Sequence, residues 1–136
     1  MKRKTFIITA VVVAFVLATG VAAYMFRSTP DCVCNKKAEA HLQADELLNA
    51  YELDEQEANA NYLGKVITVT GTVAELSADD QGRPVIAFSS QSFGAVIATL
   101  CENENINNLA PNQTISIKGE CSGYTFDVVL SKCCLQ

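Results

Sequence analysis

Six cysteines in 136 residues are the side chains best equipped for chemistry in this sequence. Cys32 and Cys34 form a C-x-C pair, Cys101 and Cys121 stand alone, and Cys133 and Cys134 are adjacent. Thiols can bridge, ligate a metal, exchange with other thiols, or sit inert in a core as small hydrophobes, and six of them allow 15 pairings. A zinc site would draw on Cys32, Cys34, His41 and a fourth ligand, but the set lacks the paired spacing of a zinc motif, so no metal is expected. His41 reads more simply as a surface residue on a helix among carboxylates. Redox work would require an exposed, low-pKa thiol at Cys32 or Cys34. The sequence offers no C-x-x-C, no Ser/His/Asp set and no phosphate-cradling glycine loop, so neither catalysis nor a cofactor is expected.

A second group could bind a ligand by stacking. Phe88, Phe93 and Tyr124 supply rings and Arg83 a guanidinium, and together they form the candidate ligand-binding set. The plainer role for each ring is core packing or loop anchoring. Charge weighs against a polyanionic ligand: from Arg27 onward there are 7 basic against 15 acidic residues, and from 62 to 136 there are 4 against 7. Asp79 and Asp80 moreover answer Arg83 within one loop. An acidic surface repels phosphate, so nucleic acid is not expected as a partner.

The elements that would position these residues begin with an anchor. Lys2, Arg3 and Lys4 precede an uncharged run over 6–26, which as a helix spans about 30 Å, the thickness of a bilayer core. The basic cluster should remain cytoplasmic and send the rest of the chain across. The rival is a cleaved signal sequence, for which Val21, Ala22 and Ala23 offer small residues; the length of the run favours the uncleaved anchor. Residues 28–35, STPDCVCN, read as a linker. Residues 36–61 are rich in Ala, Leu and Glu and read as an amphipathic acidic helix, with seven carboxylates and no Lys or Arg between 38 and 61. That face is read as solvated, with docking of a basic partner as the sharper alternative.

From 62 to 136 the period changes to two. In KVITVTGTVAEL (65–76) Ile67, Val69, Gly71 and Val73 alternate with threonines, and the mid-strand glycine suits a sharply coiled or bulged strand. A loop over 77–84, a short strand over 85–88, a turn over 91–94 and a strand over 95–101 follow. ENENINNLA (102–110) suits the start of a short helix. Residues 114–121 alternate cleanly, 122–125 read as the hairpin turn, and 126–133 form the fifth strand. Three strands, a helix and two strands are the order of an OB-fold barrel, an all-β core. In such a barrel the third and fifth strands run parallel where it closes, so a bridge from Cys101 to Cys133 or Cys134 is expected, with Cys101 and Cys121 as unbridged buried thiols the plainer alternative. Cys121 and Cys133 would lie too far apart along the hairpin to pair.

Tyr62, Gly64 and Lys65 (NYLGK), Gly71 and Val73 (VTGTV), Gly119 and Cys121 (IKGEC), and Val128, Leu130 and Cys133 (VVLSKC) recur in the order seen in the tRNA_anti-like family. The segment from about Ala44 to Leu135 resembles these OB-fold proteins of bacterial envelopes, whose members often carry an acidic helix before the barrel. The resemblance implies fold and location and supplies no catalytic residue. The reading is therefore a single-pass protein of the bacterial inner (cytoplasmic) membrane, held by its N-terminal helix, with an extracytoplasmic OB-fold domain that meets an envelope protein. An oligonucleotide- or oligosaccharide-binding module is the alternative.

Overall fold

A computed structural model describes residues 2–26 and 31–136. Met1, Arg27 and residues 28–30 of the expected linker lie outside the described residues. The chain divides into two compact units, Met1–Pro30 and Asp31–Gln136.

The first unit is helix α1, Lys2–Phe26. Its stretch Ile7–Tyr24 has a mean hydropathy of 2.4 and buries nothing within the protein, so it is long and apolar enough to cross a membrane. Apolar residues surround the whole circumference instead of forming a stripe, which suits a helix solvated by lipid better than one packed on a core.

The second unit is a closed barrel built from β2 (Val66–Ala78), β3 (Pro84–Phe88), β4 (Val96–Leu100), β5 (Thr114–Tyr124) and β6 (Val128–Leu135). The strands run β2-β3-β4-β6-β5, and β5 returns to β2 to close the cylinder. All contacts are antiparallel except β4 with β6, which run parallel as an OB-type barrel requires. Ile67, Val69, Val73, Ile86, Phe88, Val96, Ala98, Leu100, Ile117 and Leu130 alternate into the interior and are almost wholly buried. β2 pairs with β5 along Val66–Thr72 and with β3 along Val73–Ala78, and it bends between the two stretches. Its register with β3 shifts between Val73 and Glu75, and at Gly71 a Cβ would come within 2.8 Å of both the Ala44 methyl and the Phe88 ring. The mid-strand glycine thus lets a helix residue and a core ring close over the bend.

Several elements differ from the sequence expectation. Residues 36–61 do not form one helix. β1 (Ala40–Gln43) pairs in parallel with Ile67–Thr70 on β2, so His41 stands exposed on a strand and not on a helix. Helices α2 (Ala44–Leu53) and α3 (Glu55–Tyr62) follow. Asp54 separates them with extended backbone: its N–H donates to the Ala50 carbonyl, ending α2, while its carboxylate accepts from the Glu57 N–H, starting α3. Asp followed three residues later by Glu is a helix-start signature, and here it interrupts a run of good helix formers. Gln43 and Glu46 form the corresponding capping box on α2.

The expected helix over 102–110 is absent as well. The connection is a series of turns in which the Asn105 side chain accepts from the Asn107 N–H and the Gln113 side chain from the Ala110 N–H. Four asparagines in this run offer the backbone local partners that compete with a helix. The barrel end is plugged instead from upstream, by Leu47, Leu48 and Tyr51 of α2, the two leucines each worth about 1.5–3 kcal/mol of burial. The first loop is shorter than expected, at 79–83, and the hairpin turn lies at 125–127, not 122–125. Cys121 therefore faces Leu130.

Candidate interaction surface

The four residues proposed as one ligand-binding set are not brought together. Phe88 is in the core. Tyr124 stacks on Tyr51 with ring centroids 5.4 Å apart. The Tyr51 hydroxyl lies 3.2 Å from the Cys121 sulfur, and burial, followed by this contact, pushes its pKa well above the ordinary tyrosine range. Arg83 folds back on its own loop: its N–H and guanidinium both donate to Asp79, whose carboxyl is held below the usual range, first by that backbone N–H. The 79–83 loop lies at the Thr99 end of the β3–β4 pair, because Val85 pairs with Thr99. Phe93 lies at the other end, and only Phe93 is free, its ring fully exposed.

Phe93 has company that the sequence pattern did not single out. The Ser92 hydroxyl donates to the Glu52 carboxylate at 3.0 Å, joining the β3–β4 loop to the last turn of α2. Gly94 is buried under the β5–β6 turn, where a Cβ would strike the Phe126 carbonyl and approach Leu48 at 3.3 Å. The Ala95 N–H donates to Asp127, and the Val128 N–H to the Ala95 carbonyl. Three segments are thereby fixed side by side, and each presents a large apolar side chain to solvent: Leu53 at 87% exposure, Phe93 at 102% and Phe126 at 68%. From this pole a cross-strand row Ala87, Ile97 and Val129 continues on the outer wall of β3, β4 and β6. The carboxylates of Glu52, Asp54, Glu55 and Asp127 belong to the same segments, and no Lys or Arg occurs in 38–64, 84–117 or 119–131.

The opposite ends of β4 and β6 hold the cysteines. Disulfides join Cys32 to Cys101 and Cys34 to Cys134. This corrects the expected bridge from Cys101 to Cys133 or Cys134. The parallel strands do bring these residues together, and the Cys101 N–H donates to the Cys133 carbonyl. Yet Cys133 turns into the barrel against Gly119, so its neighbour Cys134 and Cys101 are each taken by the C-x-C strap. Val33, between the strap cysteines, is completely buried and donates its N–H to the Lys132 carbonyl. Cys34, Glu104 and Cys134 are close enough to suggest a metal, but both sulfurs are spent on the disulfide. Cys121 and Cys133 are free and buried, and burial pushes the Cys133 thiol up to about 12.

A polar groove of about 370 Å³ lies where α2 begins against β2, lined among others by Gln43, Asp45, Thr70, Thr72, Ser89 and Thr114. Its hydroxyls, amides and single carboxylate can hydrogen-bond a neutral polar group. It holds no imidazole, thiol or cation with which to activate one.

The tRNA_anti-like family matches residues 1–135. No curated protein matches the chain. Among solved structures, a "putative nucleic acid-binding lipoprotein" from Klebsiella pneumoniae subsp. pneumoniae has a similar fold, with a TM-score of 0.58 at 13% identity over 70% of this chain and 90% of that one.

Proposed function

The chain belongs to the tRNA_anti-like family, and from that premise we propose that it is a membrane-anchored, extracytoplasmic, non-catalytic module that holds a protein partner in the bacterial envelope. The observation that carries this reading is the pole at Leu53, Phe93 and Phe126, where three large apolar side chains stay in water on segments locked by hydrogen bonds. Rigid, exposed apolar groups of this kind mark interaction sites. The apolar stretch Ile7–Tyr24 of α1 and the basic residues that precede this stretch favour a single pass through the inner membrane with the barrel outside. Two disulfides in the barrel unit suit an oxidising compartment.

A second reading takes the same rings as a stacking platform for single-stranded nucleic acid, following the description of the Klebsiella protein. Acidic surroundings count against it. A photo-reactive residue at position 93, activated in intact cells, separates the two: a discrete crosslinked envelope protein supports the first reading, and crosslinked nucleic acid the second. Intact mass of the same material reports whether α1 is retained, and protease accessibility in spheroplasts reports the side of the membrane.

A further inference from the structure

We infer that the Leu53, Phe93 and Phe126 pole takes a protein segment that alternates apolar side chains with Lys or Arg. The inference rests on the protein-interaction reading above and specifies the chemistry of the partner. The apolar side chains come from three segments joined by the Ser92–Glu52 hydrogen bond, the Ala95–Asp127 hydrogen bond and the close seating of Gly94 beneath the Phe126 carbonyl. None of the three is spent on the core: each is at least two-thirds exposed.

Charge then selects the occupant. Asp54 and Glu55 directly follow Leu53, Glu52 precedes it, and Asp127 follows Phe126. The ion pairs of the described residues, Arg83 with Asp79 and Lys132 with Glu120, involve none of these four carboxylates. A phosphate backbone or an anionic leaflet brought to the rings would meet carboxylates that no Lys or Arg among the described residues pairs. A second copy docked through the same pole would set these carboxylates against their equivalents, since a two-fold contact presents one patch to itself. A cationic and apolar segment satisfies both features at once: its apolar side chains cover the rings, and its cations neutralise the rim, raising the rate of encounter and fixing register. Exposed apolar side chains and carboxylates carried on the same three segments suit a protein interface, which joins an apolar centre to a polar rim.

The test uses the full-length chain in nanodiscs of neutral lipid, with an alternating Lys-Leu decapeptide as probe, an alternating Glu-Leu decapeptide as control and a twelve-residue oligothymidylate as competitor class. The expected result is binding of the Lys-Leu peptide alone, weakening as salt rises. Leu53→Ser with Phe93→Ser should weaken it about tenfold or more, and Glu52→Gln with Glu55→Gln should weaken it several-fold while flattening the salt dependence. Lys-Leu binding that neither pair of substitutions alters would overturn the inference, as would oligothymidylate binding lost in Phe93→Ser, or concentration-dependent self-association lost in that variant. If the peptide fails to bind while a photo-reactive residue at position 93 still captures an envelope protein in cells, the partner chemistry is wrong and the broader reading stands. If position 93 captures no protein, the broader reading falls with it.

Discussion

The two ends of the β4–β6 seam are finished in opposite ways. At one end a strap crosses the strand termini, two disulfides fix it, and Val33 is pressed into complete burial. At the other, α2 plugs the barrel with Leu47, Leu48 and Tyr51, but Leu53, Phe93 and Phe126 are left outside the plug. A barrel that needed only to be stable would gain by hiding those three. On the proposed reading, stability and partner binding fall to different poles, and substitutions at each should report different things.

The strap should show the largest effect. Each of its bridges closes a long loop, 69 residues for Cys32–Cys101 and 100 for Cys34–Cys134, so losing one should cost about 2–4 kcal/mol. Thermal melts of Cys32→Ser and Cys34→Ser against the parent, with and without reductant, measure this; a parent indifferent to reductant would show that the strap pole is not the stabilising one. Next comes Gly119→Ala, whose new methyl would collide with the Cys133 sulfur in the core and should cost about 1–3 kcal/mol in denaturant unfolding.

The buried thiol gives a pH signature. An unfolded cysteine ionises near pH 8.5–9, whereas folded Cys133 holds its proton to about 12. Between these values the native state binds the extra proton, so stability falls as pH rises, by about 1.4 kcal/mol per unit for this one group. Unfolding curves from pH 8 to 11 should show a steeper fall in the parent than in Cys133→Ala.

At the acid end Asp79 has the opposite sign. Its carboxyl is held low in the folded chain, so its contribution is present above the unfolded value and is lost as pH falls through the folded one; Asp79→Asn should flatten acid unfolding slightly. Smallest of all, Leu53→Ser with Phe93→Ser should shift the melting free energy by no more than about 0.5 kcal/mol, because nothing buried is lost. A large loss there would mean that the apolar pole is structural after all, and the contrast between the two ends would disappear.

Much of the barrel was legible because strand alternation is local. Thr114, Ser116, Lys118 and Glu120 against Ile115, Ile117, Gly119 and Cys121 already distinguish an outer from an inner face, and the structure buries Ile117 and Cys121 as that pattern requires. The acidic segment misled for an equally local reason: alanine, leucine and glutamate favour helix, and the Asp54 to Glu57 cap that splits it was present in the sequence but outweighed by composition. β1 could not be read at all, since Ala40–Gln43 is a strand only because β2 offers it an edge. The members of the candidate ligand set are separated by the same kind of context. Phe88, Phe93 and Tyr124 are all aromatic, and only their surroundings make one a core ring, one a free surface and one a stacked partner, while Arg83 anchors its own loop.

Composition and periodicity alone settled that an uncharged helix-length run precedes an acidic domain of alternating strands, because burial preference and the two-residue repeat are carried by each residue and its immediate neighbours. Which cysteines meet, and which apolar side chains are left in water, depended on the closed barrel. Cys133 and Cys134 are chemically identical and adjacent, yet one points into the core and the other toward the strap, a distinction that exists only once β4, β6 and the C-x-C segment occupy the same place.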